Sequence, residues 1–279
     1  MINTIMNNTN SEQWNQWFAG LTDGDGCFYI NKKEKSVSYE ITTHTTDARI
    51  LFNIKNKLKA GTVKLRSGSQ SVRYRVKQKA VIFDIIQRLN GKLYNKARIA
   101  QFEKVCALFH VPQLPTACLL QKTDAYLSGL IDSDGTFAIS VSKSSTENSQ
   151  ISGVEGRIIR LKNSKVHNQI YCKVTSINPD NLNLVQNSYG FGKIYTEKSN
   201  KANRSPNAKY HWTIKSYDDF QCLYEYLKKN PLKSVKMHRM RLALLYFKYK
   251  NLGYHLKSAD MIESKLWAKF CKSWFKYSY

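Results

Sequence analysis

Alternation of apolar and polar residues with a period of two, interrupted by stretches with a helical period, runs through the chain twice in the same order. Asn10 or Ser11 ahead of Glu12 has the chemistry of a helix start. That helix runs through Phe18-Ala19-Gly20-Leu21-Thr22-Asp23-Gly24-Asp25-Gly26, where a left-handed Gly26 would stop it. Cys27 to Asn31 then alternates as a strand and Val37 to His44 as a second. Asp47 opens a helix with Ile50, Leu51, Ile54 and Leu58 on one face. A hairpin follows, Thr62 to Arg66 and Val72 to Lys77, around Ser67-Gly68-Ser69. It puts Val63, Leu65, Val72, Tyr74 and Val76 on one side and Lys64, Arg66, Arg73, Arg75 and Lys77 on the other. Helices from about Lys79 to Leu89 and Tyr94 to Leu108 complete a half of the order helix-strand-strand-helix-strand-strand-helix.

Val111 to Lys122, with Pro112 and Pro115, reads as a linker between residues 1–110 and 123–279. The second half starts again, with Thr123 as cap and Leu127-Ser128-Gly129-Leu130-Ile131-Asp132-Ser133-Asp134-Gly135, then a strand over Thr136 to Ser140. Ser142 to Gly156 reads as a Ser-rich loop, and Arg157 to Leu161 and Gln169 to Ser176 as strands. A short helix to Tyr189 precedes a hairpin of Gly192 to Tyr195 and Lys209 to Lys215 around the polar loop Lys198 to Asn207. Lys209, His211, Thr213 and Lys215 share one face of its second strand. Helices near Asp218–Lys229 and Ser234–Lys250 follow, with an amphipathic tail from Ser258 carrying Met261, Ile262, Leu266, Phe270 and Trp274. The expected fold class is α+β, two pseudo-symmetric αββαββα repeats, each an antiparallel sheet backed by helices.

Charge changes the picture. The net charge is +24, divided +11 and +13 between the halves when the chain is split after Lys122. A basic excess spread this evenly points to a polyanion, most simply nucleic acid. Six cysteines (27, 106, 118, 172, 222 and 271) form no CxxC pair, so free thiols in a reducing compartment are expected. No apolar run reaches the roughly 18 residues of a membrane span, and Met1 to Asn10 has the charge pattern of neither a secretory signal nor a transit peptide. The expected location is therefore intracellular, not secreted. It would be organellar, in a mitochondrion or chloroplast, if the chain is encoded there or has lost a presequence.

The sheets supply a binding surface. Tyr29, Asn31 and Lys33 on the first strand and Ser38, Glu40, Thr42 and His44 on the second lie opposite the apolar positions, with the hairpin cations beside them. In the second half Ser140, Ser142, Lys193, Tyr195, Lys209, His211, Thr213 and Lys215 take that place. Strands can enter a major groove, where such side chains read base edges and cations hold phosphates. The helices supply the chemistry. Gly20 and Gly24, like Gly129 and Ser133, are small residues four apart, which allows close helix approach. If the duplicated helices pair, Asp25 and Asp134 meet at their carboxyl ends, where clustered carboxylates are costly and Mg²⁺ relieves the cost. Asp23 and Asp132 are read as supporting the turn.

With those stretches in view, the chain resembles the LAGLIDADG homing endonucleases of the single-chain, two-motif type, across nearly its whole length. Phe18 and Thr22 depart from the motif's aliphatic positions. The resemblance implies a monomer that lays two sheets on double-stranded DNA as a saddle and makes a metal-dependent break with cohesive ends across a minor groove. It implies Asp25 and Asp134 as metal ligands for Mg²⁺, Mn²⁺ or Ca²⁺, with Gly24 and Ser133 contributing carbonyls. Aligning Asn90 with Asn230 sets Lys96 against Lys236, and the resemblance gives both a role at the transition state or active-site water. It gives His44 the ordering of that water, with Thr175 or Ser176 as the counterpart. The alternative is a group I intron maturase on the same fold, binding its own intron RNA with or without cleavage.

Overall fold

The structure is a computed structural model that describes residues 2–31, 33–34, 36–142, 150–165, 167–198 and 208–278, with side chains from residue 11 onward. The polar loop expected at 198–207 lies, apart from Lys198, outside the described residues, as do 143–149 of the expected Ser-rich loop.

Two helices form the axis. Helix α1 (Ile2–Asp25) begins well before the expected cap, and α5 (Tyr126–Asp134) begins after Thr123, with Ala125 at its N-cap. A Cβ on Gly20 would lie 2.1 Å from the Tyr126 carbonyl oxygen, and one on Gly129 would lie 1.9 Å from that of Trp17. The two backbones therefore touch at reciprocal glycines, the packing expected from the small-residue spacing. Thr22, in place of an aliphatic residue, is buried, but its hydroxyl donates to the Phe18 carbonyl and shares a hydrogen bond with the Tyr39 hydroxyl. Gly26 and Gly135 are not left-handed as expected. Gly135 is extended (φ −76°), and Gly26 is absent from the positive-φ residues. Glycine is required there for space, since a Cβ would meet Thr22 at 2.6 Å or the Ile131 carbonyl oxygen at 2.5 Å.

Each axial helix hands over to a four-stranded antiparallel sheet. The first holds β1 (Gly26–Asn31), β2 (Ser36–His44), β3 (Thr62–Leu65) and β4 (Ser71–Val76), in the order β1-β2-β4-β3. The second repeats that order as β5-β6-β8-β7, from β5 (Gly135–Val141), β6 (Asn168–Ser176), β7 (Lys193–Glu197) and β8 (Lys209–Ile214). Helices α2 (Ala48–Leu58), α3 (Lys79–Leu89) and α4 (Lys96–Phe109) back the first half. Ile50, Leu51, Ile54 and Leu58 are the buried face of α2, as their spacing predicts. In the second half α7 (Asp180–Tyr189), α8 (Tyr217–Lys229) and α9 (Lys236–Asn251) correspond.

Two departures are confined to the second half. Gly153–Asn163, expected to begin as loop and continue as strand, forms helix α6. Its apolar residues Ile158, Ile159 and Leu161 fit either period, and β6 already fills the place beside β5. The tail helix α10 (Ile262–Trp274) buries Trp267, Phe270, Cys271 and Trp274, while Met261, Ile262 and Leu266 are exposed. All six cysteines are free, and no helix among the described residues is long and apolar enough to cross a membrane.

Candidate active site and nucleic-acid interface

At the tips of the axial helices, Asp25 and Asp134 come together between the sheets. A Cβ on Gly24 would stand 3.0 Å from a carboxylate oxygen of Asp134 and 2.1 Å from the Ser133 hydroxyl, so glycine is what lets the tips meet. Burial, then repulsion from Asp134, pushes the half-buried Asp25 carboxyl up to about 6. Asp134, more open to solvent, is raised as well by the protein packed around it. Two carboxylates held at the negative ends of two helices, both raised by burial and one of them also by its neighbour, make a site that favours a cation.

The middle acids of the two stretches hold the frame. Asp23 accepts from the Tyr94 backbone N–H and the Tyr126 hydroxyl, each at 2.7 Å. Asp132 accepts from the Lys233 and Ser234 N–H groups at 2.9 and 3.0 Å and from the Trp17 indole at 2.9 Å. Each therefore ties its axial helix to the start of the last backing helix of its own repeat, α4 or α9, and reaches across to the other axial helix. The segments they hold are distant in sequence, not the turn of their own stretch as expected. Burial raises Asp23 to about 6.

Lys236 reaches the carboxyl end of α5. Its Nζ donates to the carbonyls of Ile131, Asp132 and Ser133 at 2.9, 2.7 and 2.9 Å, burial lowers its ammonium, and four surrounding carboxylates oppose that. Lys96 does not match it. Its side chain is 73% exposed and pairs with Asp180. The cation on the Asp25 side is Arg98, whose guanidinium donates to the Gly24 carbonyl at 3.1 Å and lowers both Asp25 and Asp134. The Asn90–Asn230 alignment is one residue out. Asn95 caps α4 through the Ala97 N–H and Ser234 takes the Lys236 N–H, so Lys236 corresponds to Ala97.

His44 closes β2, with Nδ1 against the Thr46 hydroxyl and Nε2 against Gln70. It lines a cavity of about 280 Å³ with Asp47, Lys236, Arg239 and Tyr277. Asp47, read only as a helix opener, accepts from the Val235 N–H at 2.7 Å and so binds the first repeat to the start of α9. Thr175 and Ser176 are not the counterparts of His44. Gly26 pairs with Ile41 and Gly135 with Val174, so His44 falls level with Ile177.

The outward sheet faces carry most of the expected contacts. Tyr29, Lys33, Lys64, Arg66, Lys77, Ser140, Ser142, Lys193, Tyr195 and Lys215 are exposed, and Asn31, Thr42, Lys209 and His211 are half-buried. Glu40 is clamped by Arg73 at 3.0 Å and Arg75 at 2.7 Å, which orders three side chains together. Two expected contacts are closed. Ser38 is 3% exposed opposite Tyr29, and Thr213 is 6% exposed in register with Lys193 on one side and Lys173 on the other, so longer neighbours cover both. Gln169, Tyr171 and Lys173 of β6, not anticipated as contacts, line a groove with Tyr195, His211 and Lys215. Extending the alternation back from Thr175 would have found them.

Among the described residues no group of three His, Cys, Asp or Glu side chains is placed to hold a metal ion. The pair Asp25 and Asp134 nevertheless fits Mg²⁺, which binds through one or two carboxylates and fills its shell with water and substrate phosphate. The Gly24 and Ser133 carbonyls each accept a cation's hydrogen bond and keep a second lone pair.

Compared with known proteins, residues 18–109 and 127–244 match the family described as LAGLIDADG endonuclease. The chain is 34% identical to the probable intron-encoded endonuclease aI2 of Debaryomyces hansenii, over 96% of this chain and 38% of that protein. It is 32% identical to the intron-encoded RNA maturase bI4 of Saccharomyces cerevisiae, over 94% of this chain and 36% of that protein. It thus spans little more than a third of the length of either relative. In fold it is similar to the I-LtrWI LAGLIDADG homing endonuclease bound to target DNA, with a TM-score of 0.66, 16% identity, and coverage of 95% of this chain and 98% of that one.

Proposed function

The chain belongs to the LAGLIDADG endonuclease family, and from that premise we propose that it is an intron-encoded, site-specific DNA endonuclease acting as a monomer. The observation that carries the reading is the meeting of Asp25 and Asp134 at the helix tips between two cationic sheets. Each half lies along one half-site of a long, weakly symmetric duplex of roughly two helical turns. The outward residues of β1–β4 and β5–β8 contact bases and phosphates.

Hydrolysis joins a water oxygen to phosphorus as the bond to the bridging oxygen breaks. The water's proton passes to solvent, and the leaving oxygen takes one up. When bound, a divalent ion, Mg²⁺ by preference with Mn²⁺ or Ca²⁺ able to occupy the place, supplies hydroxide and stabilises the leaving oxygen. Asp25 and Asp134 would hold it with the Gly24 and Ser133 carbonyls. Lys236 and Arg98 offset the carboxylate charge and fix the carbonyls, and His44 orders the attacking water. Both strands are cut across the minor groove that faces the helix tips, leaving cohesive ends.

Selection of cleaved sites from a randomised duplex library in Mg²⁺ tests this. Recovery of one long asymmetric target supports it, and cutting without sequence preference, or none, contradicts it. Similarity to an RNA maturase favours a second reading, assistance of splicing by binding intron RNA. A splicing assay on the encoding intron tests that separately.

A further inference from the structure

The pseudo-two-fold relation can be followed residue by residue, and it pairs unlike chemistry. From the pairings of Gly26 with Ile41 and Gly135 with Val174, His44 corresponds to Ile177 and Asp47 to Asp180. At the late helices Tyr94 and Lys233 both donate to the buried motif acid, and the side chains of Asn95 and Ser234 each accept the N–H two residues on, so Val235 corresponds to Lys96 and Lys236 to Ala97. The contacts between repeats obey the same relation: Asp47 accepts from Val235, and Asp180 pairs with Lys96. Two places at the junction are therefore alike in backbone and different in side chain.

One place gathers His44, Asp47, Lys236 and Arg239 around its cavity. The other has Ile177, 70% exposed, where the imidazole should be, and Ala97 where the amine should be. Lys96, the residue next to Ala97, is taken up by Asp180, and Arg98 donates to the Gly24 carbonyl at the helix end. An imidazole can hold a water molecule and exchange a proton with it, and its contact with Gln70 lies at the surface, where water can compete. An isoleucine side chain offers water no hydrogen bond. The Lys236 ammonium spends its three donors on the helix carbonyls and sets its positive charge beside the two carboxylates, and a methyl group can do neither.

Resting on the endonuclease reading, we propose that the two cleavage positions are unequal and that the strand lying over His44 and Lys236 is cut first. The duplex then passes through a nicked intermediate, and Ile177 is the residue that slows the second cut. His44 acts as a positioning residue for the attacking water.

The test uses a duplex carrying the selected target, with the two strands labelled differently, and a supercoiled plasmid bearing the same site. The wild-type chain should cut one strand about tenfold faster and accumulate open circles before linear DNA. Ile177→His should speed the slow strand by about tenfold, and His44→Ile should slow the fast one, so that each narrows the difference. DNA affinity with metal withheld should not change in Ile177→His, which a general structural defect would not spare. Equal rates on the two strands of the wild type, or no response of the slow strand to Ile177→His, would overturn this inference and leave the endonuclease reading standing. Absence of cutting on either strand at any metal concentration would overturn both.

Discussion

Replacing Asp25 by Asn should make the metal-free protein more stable while disabling it. Burial and the neighbouring Asp134 raise the Asp25 carboxyl from 3.8 to about 6. A carboxyl raised on folding is ionised more easily in the unfolded chain. It therefore costs no stability below pH 4, costs more as pH climbs from about 4 to about 6, and costs its full amount above that. The full shift corresponds to about 3 kcal/mol at pH 7. Asp25 is half-buried, and water screens part of the penalty, so about 1–3 kcal/mol is the expected gain on replacement. For a chain of this size that is roughly 2–6 °C in Tm. Calorimetry in chelator at pH 7.5 should show Asp25→Asn melting higher than wild type, with the gain falling to about half by pH 5. A lower Tm at pH 7.5, or a gain equal at the two pH values, would refute the electrostatic account of the helix tips.

Two further outcomes follow from the geometry. Gly129→Ala puts a methyl 1.9 Å from the Trp17 carbonyl oxygen and should destabilise the fold by about 3 kcal/mol or more in urea unfolding, because backbone cannot yield as a side chain does; a near-neutral result would mean that the axial helices are not in contact. Arg98→Met should slow cleavage by about a hundredfold with little change in DNA affinity, whereas Lys96→Met, which removes an exposed ion pair, should stay within about fivefold of wild type. Equal losses would return Lys96 to the site.

The fold was legible because its information is local. The duplicated stretch, the strict alternation of β4 and the apolar face of α2 each follow from spacing within a few residues. Helix α6 was not, because Ile158, Ile159 and Leu161 suit strand and helix alike, and only the closed pairing of β5 with β6 decides between them. The site divides in the same way. Asp25 and Asp134 could be placed from the repeat, but the alignment that reached Lys236 missed Arg98. Lys236 and Arg98 reach equivalent carbonyls from backbone positions that do not correspond, side-chain reach making up the difference. Asp47 acts on the start of a helix 188 residues away, and nothing in its own neighbourhood announces that. The glycines after the motif acids were expected for the right residue and the wrong reason, since the need is for room beside Thr22 and Ile131 rather than for a left-handed turn.

The most direct measurement is strand-resolved cleavage of the selected target by Asp25→Asn and by Asp134→Asn, beside their DNA affinities. The paired-carboxylate account predicts affinities close to wild type and no double-strand break from either variant in Mg²⁺. Wild-type double-strand cutting by either one would contradict it.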